Sequence, residues 1–364
     1  MAETARALVL EQPRRLVEHD FALPTIGDDD ALLRVEACGL CGTDHEEYTG
    51  EMHPGYAFVP GHETVGVLEE IGGRASERWG VQAGDRIAVE VFQRCGECGP
   101  CRRGSYRECE RHGLADMYGF VPVDTPPGLW GGYAQYQYLG PDALVLPVPE
   151  GIDPVLATMF NPLGAGIRWG VTLPGTKAGD SVVVLGPGVR GLAAVAAAKE
   201  AGAGFVTVTG RGRRDAPRLD AARAMGADLV IDVERDDAIR ALVAETGHRA
   251  DVVLDVTAKA PDAVAQAIGF ARTGGTVVLA GTRGIDRTAR IWPDAIVQKE
   301  LTILGALGVD TDAYRAAFEL LASGRYPFAE LSRTVASLDE VEHLVQTMAG
   351  ETDEIPPVHG VLVP

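Results

Sequence analysis

The first 150 residues of the chain consist of short apolar runs that are interrupted by glycine and proline. The runs read ALLRVEACG, ETVGVLEEIGG, DRIAVEVF, YAQYQYLG and ALVLPVPEG. Short apolar runs bounded by turn residues are typical of β-strands. The pattern therefore predicts a β-rich domain with many turns in this part of the chain.

From about Asp180 the pattern changes to apolar strands that alternate with turns and amphipathic helices. The strands read SVVVLG, FVTVTG, DLVIDV, DVVLDV and TVVLAG, and the helices include LAAVAAAKEAGA, RLDAARAMGA and DDAIRALVAETG. Continuous apolar strands separated by amphipathic helices are typical of a parallel sheet that is covered on both faces. This part of the chain is therefore predicted to be an α/β domain.

Two further helical patterns, AYRAAFELLASG and SLDEVEHLVQTMAG, and a final apolar run, VHGVLVP, follow after about Gly308. We expect this tail to return to the first domain. The prediction is then a first domain of residues 1–152 with 309–364, and a second domain of residues 153–308. A length of 364 residues agrees with two domains, because it is too long for one ordinary core.

Composition and charge limit the classes of partner. With 46% hydrophobic and 23% charged residues, the chain has the composition of a soluble globular protein. The formal net charge of -19 argues against a nucleic-acid partner, because binding phosphates needs a basic face. No apolar run approaches the length of a membrane span, and the start MAETARALVLEQPRR lacks the apolar core of a secretion signal. We expect a cytoplasmic protein that binds neither nucleic acid nor membrane.

Four of the six cysteines lie within the stretch RCGECGPCRRGSYREC, at Cys95, Cys98, Cys101 and Cys109. Thiolates two residues apart can face one metal ion, and the glycines and proline between them supply tight turns. Four cysteine ligands leave no open coordination position, so the stretch predicts a structural zinc site without a catalytic role. Disulfide pairing or a redox CxxC is the less favoured alternative, because the composition is that of an intracellular protein.

A glycine-rich turn follows the strand SVVVL and precedes an alanine-rich helix. Its sequence, LGPGVRG, contains the residues that we predict to bind a dinucleotide, Gly186, Gly188, Val189 and Gly191. The first glycine allows the tight turn, the second lets the backbone approach a pyrophosphate, and the third lets helix and strand pack closely. The helix N-terminus then faces the phosphate charge. The alternative is a glycine turn that binds nothing.

The end of the next strand reads VTVTGRGRRD, and Gly210 stands where an acid that binds the ribose 2′-hydroxyl would be expected. Without that carboxylate nothing repels a 2′-phosphate, and Arg211, Arg213 and Arg214 could pair with one. The sequence therefore predicts NADP as the preferred cofactor, with NAD as the second choice. The competing interpretation is that these arginines form a solvated loop.

A second group of metal-binding residue types lies upstream of the four cysteines. The motif CGTD contains Cys41, Thr43 and Asp44, and the motif GHE further along the chain contains His62 and Glu63. A thiolate, an imidazole and a carboxylate suit a catalytic zinc that keeps one coordination position for water or substrate. In a protein that also binds a nicotinamide dinucleotide, such a Lewis acid would complete one coherent active site.

In the order and spacing of these motifs, the chain resembles the zinc-containing medium-chain dehydrogenase/reductase family over essentially its full length. This family includes alcohol, polyol and threonine dehydrogenases. The resemblance implies a GroES-like β-rich catalytic domain and a Rossmann cofactor domain with a doubly wound parallel sheet. It also implies that Cys41 and His62 bind the catalytic zinc and that Thr43 passes the substrate proton outward. Asp44 would orient His62, and Glu63 would lie close to the metal and serve as a ligand in some members.

The chain departs from the family pattern at two places. Where relatives carry a glutamate or a cysteine as the next zinc ligand, the segment FNPLGAG supplies Asn161, whose neutral amide oxygen is a poorer ligand. Either Asn161 binds zinc weakly, or water and Glu63 complete the coordination. Where many relatives carry a histidine as the outer proton relay, this chain has Glu46, with His45 beside it. A solvated loop is an equally favoured interpretation of His45 and Glu46.

The predicted function is that of a zinc-dependent alcohol dehydrogenase acting on CH–OH donors, which transfers hydride between NAD(P) and an alcohol, ketone or aldehyde. It would hold one catalytic and one structural zinc ion per chain. The alternatives are a zinc-free quinone or enoyl-type reductase of the same superfamily and a non-catalytic dinucleotide-binding protein. The resemblance also implies a homodimer or homotetramer. Aromatic and aliphatic residues in the loops at 48–58 and 117–133 suggest a moderately apolar small-molecule substrate.

Overall fold

The computed structural model describes residues 4–284 and 287–364, so residues 1–3 and 285–286 of the two predicted domains lie outside it. The chain divides into two compact units. One comprises the residues up to Phe160 together with Ser332–Pro364, and the other is Asn161–Leu331. This division differs from the predicted boundaries at 153 and 308, because the helix that follows residue 308 stays with the second unit. On that helix the Tyr314 hydroxyl accepts a hydrogen bond from the Asn161 amide.

Strands dominate the first unit, and strands alternate with helices in the second. The strands are, in chain order, β1 Thr4–Gln12, β2 Arg15–Ala22, β3 Ala31–Leu40, β4 Glu63–Ile71, β5 Arg86–Val89, β6 Tyr136–Leu139, β7 Val145–Pro147, β8 Ser181–Leu185, β9 Phe205–Gly210, β10 Leu229–Asp232, β11 Ala250–Asp255, β12 Ala271–Leu279, β13 Thr302–Gly305, β14 Arg333–Ala336 and β15 His359–Leu362. The helices are α1 Gly42–Thr49, α2 Gly73–Trp79, α3 Gly99–Arg102, α4 Pro154–Ala157, α5 Phe160–Ile167, α6 Val189–Glu200, α7 Gly212–Ala224, α8 Ala238–Thr246, α9 Asp262–Phe270, α10 Pro293–Gln298, α11 Thr311–Ala322 and α12 Val341–Ala349. Within residues 4–284 and 287–364, none of the helices combines the length and the apolar character needed to cross a bilayer.

The first unit is built on a mainly antiparallel sheet with the strand order β14-β15-β3-β4-β5-β7, and β6 also pairs with β3. β1 and β2 form a separate antiparallel hairpin. The apolar side chains of the sheet form its core, and Leu33, Val65 and Ile87 are fully buried. The prediction of a β-rich domain is confirmed. The final apolar run of the chain joins this sheet, since β15 pairs with β3.

The second unit contains a six-stranded parallel sheet with the order β10-β9-β8-β11-β12-β13. Every residue of β8 is buried, which is why this strand reads as a continuous apolar run. The strand order reverses between β8 and β11, and in sheets of this kind ligands bind at the carboxyl ends of the strands beside that reversal. The prediction of a doubly wound α/β domain is therefore confirmed.

The register between β3 and β4 positions the residues of the candidate active site. Gly39 lies opposite Glu63 and Cys38 lies opposite Thr64. The turn into β4 requires glycine at Gly61, which has a φ of +95° and approaches Tyr133 so closely that a Cβ would lie 2.6 Å from the tyrosine ring. Gly61 therefore fixes the backbone conformation just before β4, and His62 lies next to the end of β3.

Candidate active site

Cys41 lies at the junction between β3 and α1, where it caps the N-terminus of the helix. Its backbone is extended, and its Sγ accepts a hydrogen bond from the Thr43 N–H with 3.3 Å between the heavy atoms. Asp44 completes the cap, since its Oδ2 lies 2.7 Å from the Cys41 nitrogen. The motif CGTD therefore folds as a capping box. The positive end of the helix dipole favours negative charge at the Cys41 sulfur.

The structure brings together three of the predicted metal ligands of the first unit. The Nε2 atom of His62 lies 3.2 Å from the Sγ of Cys41. The ligand atoms of Cys41, His62 and Glu63 all lie within 4.8 Å of one another, and the three residues are buried. A thiolate, an imidazole and a carboxylate at this separation fit the three-ligand pattern of a catalytic zinc site.

The charged groups around His62 favour a positive charge at this position. Burial lowers the pKa of His62, but the neighbouring charges of Cys41 and Asp44 outweigh burial, so the pKa lies well above its ordinary value. Surroundings that stabilise a positively charged imidazole also stabilise a metal cation bound to a neutral one. The residues present therefore fit the zinc ion that the sequence implies.

Asp44 makes its hydrogen bonds to Cys41 and Tyr133. Its Oδ2 accepts from the Cys41 N–H, and its Oδ1 accepts from the Tyr133 hydroxyl at 3.0 Å. The orienting hydrogen bond to His62, which the resemblance implies for Asp44, stays a prediction. In the part of the chain that the structure describes, the Nδ1 of His62 has no hydrogen-bond partner. Sequence analysis missed Tyr133, because it reads simply as a residue of the strand-like run YAQYQYLG.

One aromatic ring lies beside His62, and a second ring stacks on the first. The ring of Phe120 has its centroid 6.1 Å from that of His62, and Phe58 stacks on Phe120 at 6.1 Å. Both phenylalanines belong to the loops in which the sequence places the substrate. Trp130 and Tyr118 are packing residues instead, because the Trp130 Nε1 donates to a backbone oxygen and Tyr118 is fully buried.

The four cysteines of the RCGECGPCRRGSYREC stretch converge on one point. The Sγ atoms of Cys95 and Cys101 are 3.9 Å apart, those of Cys98 and Cys109 are 4.0 Å apart, and all four lie within 4.8 Å of one another. These separations are near the edge of a tetrahedron of sulfurs around zinc and are about twice the length of a disulfide bond. All six cysteines are free. Backbone N–H groups, that of Cys98 first, lower the pKa of the Cys95 thiol.

The glycine turn of the second unit adopts the geometry that its sequence predicts. Gly186 has a φ of +103°, and α6 begins at Val189 with Gly188 at its N-cap. A Cβ on Gly191 would lie 1.9 Å from the Gly186 carbonyl oxygen, whereas a Cβ on Gly188 would meet nothing within 4 Å. The third glycine thus allows the close packing of helix and turn, and the second leaves open space at the helix N-terminus.

The loop after β9 places the predicted arginines at the carboxyl end of that strand. A Cβ on Gly210 would lie 3.0 Å from Leu219 and 3.1 Å from Asp215, so a longer side chain fits poorly there. Arg211 is exposed, and its Nε lies 2.7 Å from the Glu234 carboxylate. Arg213 is exposed in the first turn of α7. Arginine side chains are therefore present at the carboxyl end of β9, and one of them, Arg211, forms an ion pair with Glu234.

Asn161 is placed in the second unit, where other residues bind its side chain. Its Nδ2 donates to the Tyr314 hydroxyl at 3.0 Å, and its Oδ1 accepts from a terminal nitrogen of Arg190 at 3.3 Å. The amide oxygen is the only atom with which this residue could bind zinc, and the guanidinium beside it repels a metal cation. The metal-ligand role of Asn161 stays a prediction.

The solvated-loop interpretation of His45 and Glu46 is wrong. Both belong to α1, and Glu46 is buried. The Nε2 of His45 lies 2.8 Å from a Glu351 oxygen, and Arg14 binds the same carboxylate. Hydrogen bonding by Arg14 lowers the pKa of Glu351 to about 2. The sequence around His45 could not predict its contact with Glu351, because the two residues are far apart in the chain.

Two family models match the chain. That of the alcohol dehydrogenase GroES-like domain matches residues 27–150, and that of the zinc-binding dehydrogenase matches residues 190–323. A probable alcohol dehydrogenase of Mycobacterium tuberculosis is 67% identical over 99% of this chain and 98% of that protein. The chain belongs to the zinc-containing medium-chain dehydrogenase family.

Two further members of the family show its range. An erythritol/L-threitol dehydrogenase of Mycolicibacterium smegmatis is 32% identical over 97% of this chain and 96% of that protein. A protein described as a zinc-binding dehydrogenase, from Sinorhizobium meliloti 1021, has a crystal structure bound to NADP. It superposes with a TM-score of 0.85 at 29% identity, covering 100% of both chains. The predictions of family, fold and enzyme class, an NAD(P)-dependent alcohol dehydrogenase, are confirmed. Zinc and a nicotinamide dinucleotide are its cofactors.

Replacing Gly191 with alanine should raise the dissociation constant for NADPH. The added Cβ would collide with the Gly186 carbonyl, so the turn must open and displace the amides that we predict to bind the pyrophosphate. Loss of one hydrogen bond to a charged group corresponds to about a tenfold to hundredfold weakening. Fluorescence titration with NADPH measures the effect. Gly113→Ala is the control, because a Cβ there meets nothing within 4 Å and Gly113 lies in the first unit, away from the glycine turn. Equal affinities for the two variants would contradict the assignment.

Proposed function

We propose that this protein is a zinc-dependent, NADP-preferring dehydrogenase in which Cys41, His62 and Glu63 hold the catalytic zinc. The observation that carries the proposal is the convergence of these three buried ligand atoms within 4.8 Å of one another at the start of α1. Asn161 is the remaining ligand candidate from the family resemblance. The four-cysteine site holds a second, structural zinc ion, so each chain binds two. The six free cysteines support a cytoplasmic location.

The residues around the metal site have separate roles in this proposal. When bound, zinc supplies a Lewis acid that polarises the substrate oxygen. Thr43 lies two residues after Cys41, in the first turn of α1, and passes the substrate proton outward through its hydroxyl. Asp44 holds Cys41 and Tyr133 in place through its two carboxylate oxygens. The rings of Phe120 and Phe58 exclude water beside His62.

The cofactor is held by the second unit. The amides of the glycine turn and the N-terminus of α6 bind the pyrophosphate, and Arg211, Arg213 and Arg214 bind the 2′-phosphate. The protein supplies position and charge, and the nicotinamide supplies the hydride chemistry. The NADP-bound relative from Sinorhizobium meliloti supports this assignment.

The substrate is a small alcohol or its carbonyl counterpart, of moderately apolar character. The enzyme class supports the CH–OH group, and the stacked pair Phe58 and Phe120 beside His62 supports an apolar group next to it. The erythritol/L-threitol dehydrogenase in the family shows that polyols are also worth including in a substrate screen.

A His62→Ala or Cys41→Ser variant should lose turnover by about a thousandfold or more, because the metal that polarises the substrate is no longer held. Cofactor binding should stay within about twofold of the parent value, since the glycine turn is unchanged. Turnover is measured by NADPH absorbance over an alcohol panel, and zinc by mass spectrometry, with two ions expected in the parent and one in the variant.

His112→Ala is the matched control for that pair. His112 is also a histidine of the first unit, but its Nε2 binds Asp142 at 2.7 Å and it belongs to neither metal group. It should keep both zinc ions and its turnover. Fewer than two zinc ions in the active parent enzyme would favour the zinc-free reductase and overturn the proposal.

The preference for NADP rests on Gly210 and the arginines that follow it. Arg213→Ala should raise the KM for NADP by about tenfold and leave that for NAD unchanged, because only NADP carries the 2′-phosphate. Arg223→Ala on the same helix is the control, since Arg223 pairs with Asp220 away from the strand end. A lower KM for NAD than for NADP in the parent enzyme would contradict the preference.

We also propose that the protein forms a homodimer through the edge strand β13. This strand ends the sheet of the second unit, and apolar side chains are exposed around it. Trp292, Val297 and Leu307 have 63%, 73% and 63% of their surfaces exposed. An unprotected edge with an apolar border favours pairing with a second copy, which agrees with the oligomers that the resemblance implies.

A Val297→Glu change should shift the protein from dimer to monomer, because a carboxylate in that interface would be buried without a partner. The measurement is the molar mass by light scattering over a range of concentrations. Val335→Glu is the control, because Val335 is likewise an exposed valine but lies in the first unit, on the edge strand β14. A monomeric parent protein would overturn this proposal.

A further inference from the structure

The buried face of α1 carries a carboxyl group that the proposed mechanism does not use. Asp44 and Glu47 are one helical turn apart and therefore share a face of α1. Glu47 is completely buried, and neither of its carboxyl oxygens has a hydrogen-bond partner in the described part of the chain. Buried carboxyl groups are costly without a partner. We therefore expect a hydrogen-bond donor to become available to Glu47 when the protein is in its active state.

The imidazole of His62 offers a suitable hydrogen-bond donor for Glu47. Its Nε2 faces the sulfur of Cys41 at 3.2 Å, so Nε2 is the nitrogen that faces the metal site. When Nε2 binds a metal, the proton of the neutral imidazole must be on Nδ1, and this N–H needs an acceptor. Nδ1 has no partner in the residues that the structure describes.

Asp44, the acceptor that the resemblance implies, makes its hydrogen bonds to other donors. The Cys41 N–H binds one of its oxygens, and the Tyr133 hydroxyl binds the other. These two contacts hold the start of α1 and the neighbouring loop together. Among the residues that the structure describes, the carboxyl oxygens of Glu47 accept no hydrogen bond, so Glu47 can accept one from a new donor.

We propose that Glu47 is a positioning residue that accepts the hydrogen bond from the Nδ1–H of His62 when the catalytic metal is bound. This inference rests on the proposed function of Cys41, His62 and Glu63. Burial raises the pKa of Glu47 well above its ordinary value, and the charge of His62 acts in the opposite direction, which agrees with proximity of the two groups. A carboxyl oxygen can accept the hydrogen bond in either protonation state.

The test compares the zinc affinity of three variants by competition with a chelator. Glu47→Leu removes the acceptor and should weaken zinc binding at the catalytic site about 10-fold to 100-fold, the usual cost of losing the partner of a ligating histidine. Glu47→Gln keeps an acceptor oxygen and should recover most of the affinity. The four-cysteine site is an internal reference, because neither change touches it.

Tyr48→Phe is the matched control. Tyr48 is the next residue on the same helix, and its hydroxyl donates to Glu342 at 2.7 Å. The control should leave both zinc affinities unchanged. Equal zinc affinity in the parent and in Glu47→Leu would overturn the proposal and leave Asp44 as the partner of His62.

The outcomes separate this inference from the proposed function. A parent protein that binds no zinc at Cys41, His62 and Glu63 overturns both, whereas zinc at that site with no effect of Glu47→Leu overturns this inference alone. Should Glu47→Leu fail to fold, a crystal structure of the zinc-loaded parent protein decides. A distance of about 3 Å between a Glu47 oxygen and the His62 Nδ1 is expected, and a separation too long for a hydrogen bond overturns the proposal.

Discussion

The antiparallel register between β3 and β4 is the constraint on which the candidate active site depends. Gly39 lies opposite Glu63, so β3 delivers Cys41 to the start of α1 at the point where β4 begins. A shift of one residue would turn every side chain of a strand to the opposite face. Close packing opposes such a shift, because a Cβ on Gly39 would lie 2.5 Å from the Glu63 carboxylate.

This register concentrates buried carboxyl groups around His62. Asp44, Glu47 and Glu63 are all buried near the thiol of Cys41, and a core of this kind is costly unless cations or hydrogen-bond donors compensate the charge. The helix N-terminus and the Tyr133 hydroxyl provide part of the compensation. A divalent metal would provide the rest. Metal binding and folding stability of the first unit are therefore linked.

The two units owe their sequence signatures to different physical requirements. The glycines of the turn in the second unit are needed because backbone groups approach one another closely, as Gly191 and Gly186 do, and this need depends on neighbours in the sequence. The four clustered cysteines of the first unit are needed because their sulfur atoms are potential metal ligands. Their short spacing in the sequence allows the sulfur atoms to meet at one point. Asn161 shows the limit of local pattern, because its residue type suggested a weak ligand while Arg190 and Tyr314 decide what its amide binds.

The sequence by itself determined the α/β and β-rich parts of the fold, the glycine turn, and the two groups of metal-binding residues. These features depend on residue type and on spacing along the chain. The tertiary structure decided that Tyr133 binds Asp44, that Glu351 binds His45, and that α11 stays with the second unit. It also decided that Glu47 is buried with no hydrogen-bond partner among the described residues. Each of these features depends on contacts between segments far apart in sequence. A local pattern of apolar and polar residues does not show which distant segment will pack against it.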